Sequence, residues 1–220
     1  VQTCALPIWL GDDVISSIGK FDSGLPTATV LYDLIPLINR EIYLKNPMLE
    51  KWYERKLAHL RNADLLLAIS ASSRREAIEW LGTPEGDVVN ISTAAEEHFY
   101  PAPVTQAQRD ALAHDYGLVR PFVMYTGGID HRKNIEALIE AYAGLPTNLR
   151  RAHQLAVVCS IEPADRARLT SLAKEAGLAS DELVLTGYIP EDDLLACYRA
   201  CKLDRKSTRL NSSHTDISRM

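Results

Sequence analysis

The chain has 220 residues, 46% hydrophobic and 24% charged, with a formal net charge of −5. These are the proportions of an ordinary globular protein with room for one large or two small domains. The negative balance argues against nucleic-acid binding through general electrostatics, and no apolar run is long enough to cross a membrane.

Taken in chain order, the first eight residues, VQTCALPI, lack the basic and apolar regions of a signal peptide. Residues 9–21 are mixed in character and suit a loop or an edge. The run 28–32, ATVLY, is predicted as a strand buried on both faces, ending at Asp33. Asn46-Pro47 reads as a helix start, with Leu49, Trp52, Tyr53, Leu57 and Leu60 sharing one face. A second strand over 65–69 leads into Ser70-Ala71-Ser72-Ser73. There Ser73 and Glu76 match a capping box, with Ser70 and Ser72 as further capping candidates. Ala77, Ile78 and Leu81 continue that helix until Gly82 and Pro84, and 88–91 is a further short strand.

Residues 101–121 contain Pro101, Pro103 and Pro121 and one weak helix, 106–116, and read as a connection between domains. The densest signal follows. Residues 122–126 form a predicted buried strand, Gly127-Gly128 a turn, Arg132-Lys133 a basic pair, and Ile135, Leu138, Ile139 and Tyr142 one helical face. A strand, a glycine turn and a helix start converge free N–H groups and the helix dipole on one spot, which makes an anion site. Two cations there suit a diphosphate. The alternative is a solvated helix start, but cations at a helix N-terminus are unfavourable without an anion, which favours the binding reading. Strand 155–159, helix 163–176, strand 183–186 and helix 191–201 complete an alternating βα series, the pattern of a parallel sheet.

Of the four cysteines, Cys197 and Cys201 are spaced for one helix face, but no ligand cluster accompanies them, and buried thiols in a reducing compartment are the expectation. The end of the chain is rich in Ser, Thr and Arg. Segments 1–8 and 204–220 resemble translated adapter sequence and are expected to be non-native tails. Disordered native tails are the alternative.

The segments YDLIPL, ADLLLAISASSRREA, VVNIS, YTGGIDHRKNIEALIEAY and VLTGYIPEDDLLACY, in that order, resemble family-4 glycosyltransferases. Within them the resemblance is to the bacterial mannosyltransferase-like branch that builds O-antigen and other surface polysaccharides, and it spans about 10–203. It implies an α/β fold of two Rossmann-like domains (GT-B), both incomplete here: 9–100 on the acceptor side and 122–203 on the donor side. It implies retaining transfer from a nucleotide-sugar such as GDP-mannose to a glycan or lipid-linked acceptor. No metal is expected, in line with the lack of a D-x-D triplet. A cytoplasmic setting follows, with peripheral membrane contact in the full-length parent.

By this resemblance Lys133 contacts the donor diphosphate, with Arg132 as a second contact and Gly127 and Gly128 admitting the backbone. Some relatives carry arginine in place of Gly128. Tyr188 and Ile189 lie in the loop beside the nucleotide base, or in an ordinary strand-to-helix loop. Asp33 orients the acceptor or caps the next turn. Tyr32 stands where many relatives have histidine, so no histidine base is assigned. The family's glutamate pair is expected after Ala200 and its glycine-rich loop before Trp9, and neither is present. The 220-residue chain is therefore expected to be a fragment, inactive and weakly stable. A non-catalytic nucleotide-binding module, or a product with no activity of its own, stands as the alternative.

Overall fold

A computed structural model describes residues 2–5, 24, 26–130 and 133–204. The chain divides into two compact units, with the boundary between Ala95 and Glu96.

The first unit is built on a four-stranded parallel sheet in the order β1-β2-β3-β4. Its strands are β1 (Gln2–Ala5), β2 (Thr27–Leu31), β3 (Leu65–Ala68) and β4 (Val88–Asn90). The sequence pattern sets 1–8 aside as a tail. Within that segment Gln2–Ala5 pairs with Thr27–Val30, which covers the backbone edge of β2 that would otherwise stand open. Two short helices, α1 (Ile35–Ile38) and α2 (Arg40–Tyr43), occupy a stretch for which the sequence shows no clear periodicity.

Helix α3 (Pro47–Arg61) starts as expected. The Asn46 side chain accepts from Met48 N and Leu49 N, and Pro47 sits where a missing N–H costs nothing. Tyr53, Leu57 and Leu60 bury against Leu31, Leu66 and Val88. Leu49, 38% exposed, falls off the expected stripe. The next helix selects one of the predicted caps, Ser70, over the box of Ser73 and Glu76. In α4 (Ala71–Glu76) the cap is Ser70, whose hydroxyl accepts from Ser73 N at 3.0 Å. Ser73 and Glu76 are buried and serve other partners. The helix widens into a π turn over Ala77–Leu81 and stops at Gly82, at φ 70°.

The second unit takes in the stretch that reads as a connection in the sequence. Helix α5 (Gln106–Tyr116) has a true capping box between Thr105 and Gln108, and it buries Leu112 with Phe122 and Met124. The segment is therefore part of this core rather than a free linker.

The second sheet, also parallel, runs β7-β6-β5-β8. Its strands are β5 (Phe122–Thr126), β6 (Gln154–Val158), β7 (Leu183–Leu185) and β8 (Leu203–Asp204), the last pairing Asp204 with Met124. Side chains alternate between the faces, as strand geometry requires. Phe122, Met124, Ala156 and Val158 pack with α5 and with α9 (Glu191–Ala200). Tyr125, Leu155 and Val157 pack with α6 (Ile135–Ala143) and α8 (Pro163–Glu175). Burying Ile139 completely stabilises this layer by about 1.5–3 kcal/mol. Helix α7 (Thr147–Ala152), which the sequence pattern does not announce, links α6 to β6.

The amino ends of the strands are stitched together. The buried Gln154 amide accepts from Arg120 N and donates to the Gly117 and Asp181 carbonyls, each at 3.0 Å. This fixes one end of the sheet and leaves the carboxyl ends, where ligands bind in open α/β sheets, to the loops.

Candidate functional site at the carboxyl end of the second sheet

The loop after β5 begins at Gly127, whose φ of 134° few other residues adopt. A Cβ there would also lie 3.1 Å from the Tyr125 hydroxyl. That hydroxyl is the brace of the turn. Tyr125 is a buried strand residue, and it donates back to the Gly128 carbonyl at 2.8 Å. Burial pushes the phenol's pKa up, so it stays protonated and remains a donor. A Cβ at Gly128 would meet nothing within 4 Å, so the space above this residue is open.

The chain then turns tightly, with Lys133 N donating to the Asp130 carbonyl at 2.8 Å. Asn134 takes the left-handed conformation at φ 50° and ψ 49°, which asparagine tolerates better than most residues. Helix α6 begins at Ile135, and no side chain caps it. Its first-turn N–H groups and dipole therefore lie immediately after Lys133. The sequence pattern places the basic pair at the helix N-terminus. Lys133, half-buried, precedes the first helical residue by two positions, while Arg132 and His131 lie outside the described residues.

Tyr188 and Ile189 part company. Tyr188 is 79% exposed beyond the end of β7, whereas Ile189 is 8% exposed and packs among Phe122, Met124 and Ala196. Ile189 is thus a core residue, because the loop must re-enter the core to start α9. The turn before it is set by Gly187 at φ 80°, next to Arg166, whose guanidinium donates to the Leu185 carbonyl at 2.8 Å.

In the first unit, Asp33 Oδ1 accepts from Ile35 N at 3.1 Å, which is the turn-capping role. The exposed Tyr32 and this turn are fastened from behind by α4. Ser73 Oγ donates to the Tyr32 carbonyl, and Glu76 Oε2 accepts from Leu34 N at 3.0 Å. The sequence conceals both roles, because the capping-box pattern offers Ser73 and Glu76 a local use. Arg74 holds the entry to β4, donating to the Val88 and Glu85 carbonyls.

Among the described residues, Glu96, His98 and Glu191 bring potential metal-ligand atoms within 4.8 Å of one another. Each carboxylate faces a different ring nitrogen, at 3.4 Å and 2.8 Å, so the imidazole lies between the two acidic groups. Cys197, fully buried, and Cys201 are free thiols outside that group.

Likenesses to known proteins bear on this geometry. The model of the family described as glycosyl transferases group 1 matches residues 112–203. The chain is 37% identical over 193 residues to the serotype-specific mannosyltransferase WbdA of Escherichia coli, covering 88% of this chain and 24% of that protein. It is 32% identical over 143 residues to an alpha-D-kanosaminyltransferase of Streptomyces kanamyceticus, covering 64% of this chain and 35% of that protein. The structure of Anabaena HepE in complex with UDP-glucose superposes with a TM-score of 0.65 at 18% identity, over 87% of this chain and 49% of that one. The last likeness bears out the fold class, α/β with two Rossmann-like units. The chain spans about a quarter of the length of WbdA.

Proposed function

The chain belongs to the group 1 glycosyl transferases, matched over 112–203, and from that premise we propose that it carries the donor-phosphate site of a hexosyltransferase. The transferred group is mannosyl, on the strength of the likeness to WbdA. The donor is a nucleotide-diphosphate sugar, and the acceptor is a hydroxyl of a glycan or lipid-linked chain. In the reaction the bond from the anomeric carbon to the diphosphate breaks, the acceptor oxygen bonds to that carbon, and the acceptor proton leaves. The departing diphosphate gains negative charge, and stabilising that charge is the main electrostatic demand.

One observation carries the reading. The Tyr125-braced glycine turn runs through Lys133 straight into an uncapped helix start. The open space over Gly128 admits a phosphate to the backbone, and Lys133 and Arg132 supply the positive charge. We assign charge neutralisation to these groups rather than to a divalent ion, in keeping with the missing D-x-D triplet. Tyr188, exposed beyond β7, is the group for stacking on the nucleotide base. Asp33 enters only as a group that orients the acceptor, since its Oδ1 already serves Ile35 N. The proposed setting is cytoplasmic, at the inner membrane face. No described helix is long and apolar enough to cross a membrane.

Titrating the chain with GDP, UDP and GDP-mannose by calorimetry tests this. Lys133→Ala is expected to weaken binding about ten- to a hundredfold, the loss of one charge-assisted contact. Equal binding by wild type and variant would sink the assignment.

A further inference from the structure

Glu136 occupies the first turn of α6. A carboxylate there is favoured by the helix dipole, but it competes with any diphosphate for the same positive end. The structure engages this carboxylate from the neighbouring helix. Arg168 of α8 pairs with Glu136 through Nη1. The same guanidinium gives Nη2 to Asp165 Oδ1 at 2.9 Å and Nε to that oxygen at 3.3 Å. Asp165 lies in the first turn of α8, three residues before Arg168, so it orients the guanidinium from its own helix. Below these charges Ile135 and Ile139 pack on Leu169 and Ala173, so α6 and α8 are already held by their core.

Arg168, Glu136 and Asp165 are 45%, 39% and 38% exposed. Ion pairs this open contribute little to stability. Their field on a neighbouring anion is a separate matter, because a diphosphate at the helix start feels the sum of nearby charges.

We infer that Arg168 is a positioning residue for the donor diphosphate. It neutralises Glu136 and holds the first turn of α6 so that the helix start faces the anion with its positive end uncancelled. This rests on the function proposed above.

The test is a double-mutant cycle on the 220-residue chain, with inorganic pyrophosphate and GDP as probes, read by calorimetry at low and at raised salt. Arg168→Gln is expected to weaken both probes about three- to tenfold at low salt, the effect of one uncompensated carboxylate near a dianion. Glu136→Gln is expected to strengthen both by about two- to threefold while slightly lowering thermal stability, because it removes a favourable helix-start charge. The double variant returns to wild-type affinity or better, Arg168→Lys retains most of the binding, and raised salt shrinks every difference. A purely structural role would give a different pattern: Glu136→Gln would weaken binding, and the double variant would stay as weak as Arg168→Gln. Either result overturns the inference. If Lys133→Ala weakens pyrophosphate binding while Arg168→Gln is silent, the donor-site reading stands and this inference falls. If the wild-type chain binds neither probe, both fall.

Discussion

At the scale of single residues, the glycine pair shows how much a backbone angle decides. Gly127 at φ 134° faces two separate obstacles to a side chain: the angle itself and the Tyr125 hydroxyl 3.1 Å away. Gly128 faces neither, since its φ lies outside that region and nothing stands within 4 Å of its Cβ position. Gly127→Ala is therefore expected to destabilise the chain by about 1–3 kcal/mol, and Gly128→Ala by no more than about 0.5 kcal/mol. Urea unfolding of both variants measures the difference, and equal losses would show that the turn carries no strain at Gly127. The two glycines are legible in the sequence as a turn, but their inequality is not. It depends on Tyr125 folding its hydroxyl back over the loop, and a buried strand pattern cannot reveal where a side-chain tip lands. Ile189 shows the same limit: next to Tyr188 in sequence, it points to the opposite environment.

At the scale of elements, caps are readable where they are isolated and misleading where serines crowd. Asn46 stands alone before Pro47, and its Oδ1 accepts from Met48 N at 2.9 Å. Asn46→Ala is expected to cost about 1 kcal/mol, seen as a lower urea midpoint with an unchanged slope. In the Ser70 to Ser73 run the pattern supports several caps, and only the packing of α4 against the Tyr32–Leu34 turn selects Ser70. Helices α1, α2 and α7 have four to six residues, too few for a hydrophobic period to register.

Helix α9 adds a pH effect at this scale. Burial first, then the neighbouring Asp193 and Cys201, push the Cys197 thiol from its ordinary 9.0 up to about 12. The folded state thus keeps a proton that the unfolded chain releases. The stability this contributes is complete below pH 9.0 and is lost as pH rises through about 12. Unfolding measured at increasing alkalinity should show this fall, and Cys197→Ala should reduce its slope. Alkylation of Cys197 at neutral pH should wait on unfolding.

At the scale of the whole molecule, the controlling fact is that the chain has two units with separate cores. Leu31, Tyr53, Leu57 and Leu66 belong to one cluster of the first unit, while Met124, Ile139, Leu155 and Leu169 fall in clusters of the second. The alternation of strands and helices that marks both is plain in the sequence. The extent of the second unit is not, because α5 carries little apolar signal beyond Leu112 and the nearby prolines suggest a linker. Separate cores let the units unfold in separate steps, so a single melting temperature would not describe the chain. The proposed diphosphate site is built wholly from the second unit, from the β5 loop and the start of α6. A ligand stabilises only the unit that binds it, by about 2.7 kcal/mol when present at a hundred times its Kd. Pyrophosphate is therefore expected to shift one unfolding transition upward and leave the other in place. A fluorescence probe can assign them, since Trp52 packs against the core of the first unit and Trp80 also lies there. Tryptophan emission should report the unshifted transition, while far-UV dichroism reports both. If the tryptophan transition rises with pyrophosphate and the other does not, the anion site lies in the first unit and the assignment to Lys133 and α6 fails.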